Sequence, residues 1–100
     1  MATTSKALFR GAASTSSTTL YTVPSSTTTI VTDIVVTNTA GTAGNFTLLF
    51  DDVSISSTVT VGAYDSTIIS LKQVLATTKT IKGSASATTI NFHISGVEIA

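Results

Sequence analysis

The stretch TTINFHISGVEIA (residues 88–100) decides the fold class. Ile90, Phe92 and Ile94 alternate with Asn91, His93 and Ser95. That two-residue period is the signature of a strand with one buried face. After Gly96 the apolar residues change parity, to Val97 and Ile99. A β-bulge at the glycine would turn the following side chains over, so that Val97 and Ile99 point away from the buried row. Two uses for such a flip are open. One is an apolar patch covered by another chain; the other is a corner at which the strand crosses into a second sheet.

The same period runs through the rest of the chain. NFTLLFD (45–51) places Phe46, Leu48 and Phe50 on one face, as core. VSISSTVTV (53–61) aligns Val53, Ile55, Val59 and Val61. TTTIVTDIVVTNT (27–39) is β-branched almost throughout, with Ile30, Ile34 and Val36 on one parity and Val31 and Val35 on the other. Such a strand is expected to be at least partly covered on both sides. TLYTV (19–23) ends at the only proline, Pro24, which suits an edge or a strand end. STIISL (66–71) and KTIKG (79–83) are further strands, and AGTAG (40–44) and Asp51-Asp52 read as turns. In KQVLATT (72–78) the period fails: Leu71, Val74 and Leu75 stand at i, i+3 and i+4, which predicts a single helical turn.

Seven to eight strands spaced by about 8–12 residues predict an all-β fold, an antiparallel β-sandwich of jelly-roll or Ig-like type, over residues 19–100. Residues 1–18 are rich in Ser, Thr and Ala around one basic, apolar knot from Lys6 to Arg10. They read as a flexible N-terminal arm, either ordering against a neighbour through Leu8, Phe9 and Arg10 or remaining a disordered tail.

Composition narrows the function classes. Only 10% of residues are charged, net charge is zero, and Ser and Thr make up about a third of the 100 residues. Threonine is stiff at its β-branch and suits strands, while its hydroxyl keeps an outward face wettable without charge. A neutral surface has little long-range attraction for nucleic acid or acidic membranes, and does little to keep copies apart. There is no cysteine, so disulfides and thiolate metal sites are excluded. No apolar run approaches the ~20 residues of a membrane span. Ala7-Leu8-Phe9 is too short for the core of a signal peptide, so secretion by that route is not expected.

Little catalytic chemistry is on offer, and an enzyme is not expected. His93, the only histidine, lies on the polar parity of its strand, and no serine sits in a nucleophile elbow. The acids are Asp33, Asp51, Asp52, Asp65 and Glu98. A loose calcium site from Asp51, Asp52 and Asp65 requires that their loops converge at one end of the sandwich. Lys72, Lys79 and Lys82 form either a small positive rim or ordinary solvated lysines around a turn. No cofactor is implied.

LYTVPSSTTTIVTDIVVTNTAGTAGNFTLLFDDVSI (20–55) resembles a family of small tailed-bacteriophage virion proteins, and LKQVLATTKTIKGSASATTINFHISGVEI (71–99) continues the theme. The resemblance implies a β-sandwich carried on the outer surface of the virion and made in the host cytoplasm. As a head-decoration protein it would bind the major capsid protein of the phage head and stabilise the shell, itself a homotrimer as such proteins commonly are. The resemblance supplies no catalytic residues. From the residues themselves, Leu8, Phe9 and Arg10 in the arm and Val97 and Ile99 at the other end are the expected contacts. The alternative is a tail or tail-fibre component that binds host-surface glycans through loops 40–44 or 62–66, where Tyr64 is the lone aromatic.

Overall fold

The computed structural model describes residues 2–100. Its eight strands are β1 (Thr3–Ala12), β2 (Thr18–Thr22), β3 (Thr28–Asn38), β4 (Gly44–Phe50), β5 (Val53–Val61), β6 (Ser66–Leu75), β7 (Thr80–Ala85) and β8 (Ile90–Ile99). They form two four-stranded antiparallel sheets, ordered β1-β8-β3-β6 (sheet A) and β2-β7-β4-β5 (sheet B). Successive strands therefore cross between the sheets at nearly every connection, and the order is that of a jelly roll rather than an Ig-like sandwich. Only β4 and β5 are a direct hairpin within one sheet. Their turn is Asp51-Asp52, with φ of 54° and 61°, the left-handed pair that a two-residue hairpin needs and that aspartate tolerates.

The core lies between the inner faces. Phe46 of sheet B meets Phe92 of sheet A edge to face, 6.0 Å between centroids and 73° between planes, an arrangement favoured by the ring quadrupoles. Ile34, Leu48, Ile81, Ile90 and Ile94 are fully buried around them. At the end of β3 the buried Asn38 amide donates to the carbonyls of Thr42, Val61 and Gly62 and accepts from the Ala40 N–H. It ties the β3–β4 connection to the end of β5.

Several expectations are corrected. Residues 3–12 are not an arm: β1 pairs along its length with β8. Leu8 is buried in the core and Phe9 packs against it, so their apolar area is covered by the chain itself. The helical turn at 71–75 does not form; β6 continues through it to Leu75. The register of β6 against β3 steps from Ser70 to Gln73, where Leu71 and Lys72 stand opposite the single Thr32, but β6 keeps its alternation. Ile69, Leu71, Gln73 and Leu75 share one face, and the period looks broken because Gln73 is polar and the apolar Val74 turns outward opposite Ile30.

The bulge expected at Gly96 is also absent. β8 holds one unbroken alternation from Ile90 to Ile99, and the irregularities lie on its neighbours. β1 has an extra residue at Leu8, between Ala7 and Phe9, and β3 has one at Thr32, between Val31 and Asp33. Thr32 turns its hydroxyl to the Ser95 carbonyl, 3.3 Å away. Val97 and Ile99 do point away from the core, but because the apolar residues of β8 change face while its backbone does not. Nor is there a corner, since β8 stays in sheet A throughout. Gly96 occupies the inward row, where a side chain would run into the Ile30 carbonyl and into Leu8. The bulge at Thr32 likewise explains the two apolar parities of β3: Val31, Ile34 and Val36 all face the core, whereas Ile30 and Val35 face outward.

Candidate functional site

The outward face of sheet A is built from cross-strand rows, because directly paired residues share a face. Near the C-terminal end of β8, Ser5, Val97, Ile30 and Val74 form one row, with Ile99 beside it between Thr3 and Thr28. Val97, Ile99 and Ile30 are partly exposed and Val74 is 66% exposed, giving an apolar band that the core does not use. The next row is polar: Ala7, Ser95, Asp33 and Ser70. Beyond it come Arg10, His93, Val35 and Ile68. Of the expected contacts, Val97, Ile99 and Arg10 thus share this face, while Leu8 and Phe9 do not. Ile30 and Val74 join it only through the register of three strands, which no local pattern discloses.

Directly beneath, on the inward side, is a polar cluster that bridges the sheets. Glu98 of β8 lies opposite Thr29 of β3 and receives the phenolic proton of Tyr21 from sheet B. The Thr29 hydroxyl, 2.8 Å away, is then left to donate to the Tyr21 oxygen. Lys6 Nζ sits 3.4 Å from the same carboxylate. Burial, followed by the Glu98 carboxylate that accepts its proton, pushes the Tyr21 phenol up to about 12, with the Thr29 hydroxyl pulling the other way. The arrangement pins β2 to β8; it presents no free nucleophile, and both its charges are satisfied.

The remaining polar residues stay apart. His93 is exposed on the outer face between Arg10 and Val35, with no acid or serine paired to it. Asp51 and Asp52 lie at one end of β5 and Asp65 beyond the other, separated by the length of a nine-residue strand, roughly 30 Å. They cannot share a calcium ion, and among the described residues no group of three metal-ligating side chains gathers anywhere. Lys82 bonds Asp52 at 2.7 Å and Lys79 bonds Asp51 at 3.5 Å, so two of the three lysines brace the hairpin turn instead of forming a positive rim. The Lys82 ammonium holds the Asp52 carboxyl below the usual carboxylate range. Lys72, at the β6 bulge, makes no ion pair among the described residues. Among the described residues no helix is long and apolar enough to cross a membrane.

No model of a known protein family matches the chain, and no curated protein is significantly similar to it.

Proposed function

We propose that this protein is a structural component of a bacteriophage particle, decorating the outside of the head and stabilising it by binding the major capsid protein. What supports the reading is the apolar band of Ile30, Val97, Ile99 and Val74 on the outward face of a sandwich whose core is complete without it. Exposed apolar area of this kind is stabilised by burial, at about 25 cal/mol per Å² before association costs. A surface with few charges, and polar mainly through hydroxyls, packs against a shell at a lower desolvation cost than a charged one, provided its hydroxyls find hydrogen-bond partners. The polar residues are either paired to one another or isolated, an arrangement suited to assembly and not to turnover.

The test is localisation on particles from a lysate that contains the protein. Gold-conjugated antibody is expected to label heads at many sites. Heads assembled without the chain are expected to lose DNA at lower temperature. Restricted labelling of the tail tip would instead favour glycan recognition at the host surface and overturn the proposal, as would particles that carry no label.

A further inference from the structure

The exposed apolar side chains are concentrated on one flank. Val53 and Ile55 of β5 and Ile68 and Val74 of β6 are exposed by 66, 38, 72 and 66%. β5 and β6 are the outer strands of sheets B and A on the same side of the sandwich. Between them runs a groove of about 200 Å³ lined by Ile55, Ile69 and Leu71 with Ser56 and Gln73. Among the described residues neither strand pairs with anything on its free edge. Edge strands are usually protected by charge, proline, shortness or bulges. β5 is interrupted by register shifts, but in β6 the regular stretch from Ser66 to Ser70 has none of these protections.

We infer that a second copy of this chain docks on this flank, with β6 pairing antiparallel to the β6 of the other copy about a two-fold axis at Ile68. The occupant follows from the residues. The sequence Ser66-Thr67-Ile68-Ile69-Ser70 is nearly symmetric about its centre. Antiparallel pairing about Ile68 therefore sets serine against serine, threonine against isoleucine, and Ile68 against its own counterpart. No charge is placed opposite a like charge, which is the condition for favourable cross-strand pairs.

The same register brings Lys72 alongside the second copy's Tyr64 and Asp65, twice by symmetry. Among the described residues Lys72 has no ion-pair partner. Tyr64 is 78% exposed and is held in a left-handed conformation, φ 55°, by its N–H bond to the Ala40 carbonyl, so the ring is presented outward at a conformational cost. An ammonium beside a carboxylate and a tyrosine ring is attracted by both.

The size of the contact is adequate. In this register residues 64–72 of each copy lie opposite one another, an edge roughly 30 Å long of which 66–70 is β6 against β6, and a body of 21 by 18 Å across sets its depth. That is roughly 600 Å² per copy, or about 1,200 Å² in total, the lower bound of stable interfaces, so the dimer is reversible. The pairing needs no phage particle and stands or falls independently of the function proposed above.

Sedimentation equilibrium of the full chain over a wide concentration range tests it. The mass is expected to rise from 10.2 kDa to twice that value. Ile68→Lys and Ile68→Glu each place like charges on the axis, and each is expected to weaken association about thirtyfold or more. Both substitutions lie on an exposed site, and circular dichroism verifies that each variant folds. Mixed in equal amounts, the two variants are expected to recover the dimer, because the axis then carries opposite charges. The inference is overturned by a wild-type mass that stays at 10.2 kDa, by a different stoichiometry, by folded single variants that still dimerise, or by a mixture that remains monomeric.

Discussion

Replacing Leu8 by alanine separates a β1 that belongs to the fold from one that merely lies on it. Leu8 is the extra residue of the β1 bulge and is 8% exposed, turned inward over Gly96. The substitution removes three carbons, worth about 0.8 kcal/mol each in transfer free energy. A cavity term adds to this, because Gly96 beneath has no side chain with which to fill the space. β1 is an edge strand and relaxes in part, so the expected loss is about 3 kcal/mol, within the usual range for Leu→Ala in cores. Against a total stability of roughly 5–15 kcal/mol this is a large fraction. With a sensitivity of about 4–8 °C per kcal/mol for a domain of this size, Tm should fall by roughly 12–24 °C. Urea unfolding followed by far-UV circular dichroism measures it, with the exposed Ser5→Ala as a control expected to stay within about 0.5 kcal/mol. A Leu8→Ala variant as stable as that control would refute the placement of β1 in sheet A.

Three further perturbations probe other features. Tyr21→Phe removes the hydroxyl shared by Glu98 and Thr29 and should cost about 1.5–3 kcal/mol in urea melts, the range for a hydrogen bond to a charged group. The Tyr21 phenol is raised to about 12 in the fold from an ordinary value of 10, so between these pH values the native state holds a proton that the unfolded chain has released. The corresponding stability is complete below pH 10 and disappears as pH rises through about 12, a loss that pH-dependent melts should find weakened in the phenylalanine variant. Asn38→Asp turns a donor toward three carbonyls into an acceptor; it should destabilise by at least about 3 kcal/mol at pH 7 and recover partly in acid, where the protonated carboxyl donates once. Gly96→Ala forces a methyl group against the Ile30 carbonyl and should cost about 3 kcal/mol, seen as a lowered urea midpoint with unchanged slope.

How far the fold was legible depended on whether a strand obeys its own period. β4 reads directly, because Phe46, Leu48 and Phe50 alternate without interruption and all three are buried. The sandwich class follows from such strands and the turns between them. β1 was hidden because its inward residues, Leu8 and Phe9, are adjacent, a pattern that makes sense only with a bulge against β8. The helical spacing at Leu71, Val74 and Leu75 came from an apolar residue, Val74, on the outward face of β6 beside two leucines on the inward one, and the double apolar parity of β3 from one extra residue at Thr32. A bulge is defined by its partner strand, so a single strand's sequence underdetermines it. The outward apolar band of sheet A was half legible for the same reason. Val97 and Ile99 declare themselves by leaving the buried row, but Ile30 and Val74 join them only through pairing across the sheet. Likewise, Tyr21 lies 77 residues from the Glu98 carboxylate it binds.

The extra residues of β1, β3 and β6 fall at one level of sheet A, beside Ser95 and Gly96 of a β8 that has none. A plain ladder of Ser, Thr, Val and Ile tolerates sliding by two residues, since every side chain keeps its face. Here such a slide would set Leu8 and Thr32 against the wrong stretch of β8, and would move a bulky residue into the slot only a bare backbone fits. The last strand to enter between β1 and β3 therefore has a single seat, and a repetitive, chemically bland sequence acquires an unambiguous alignment.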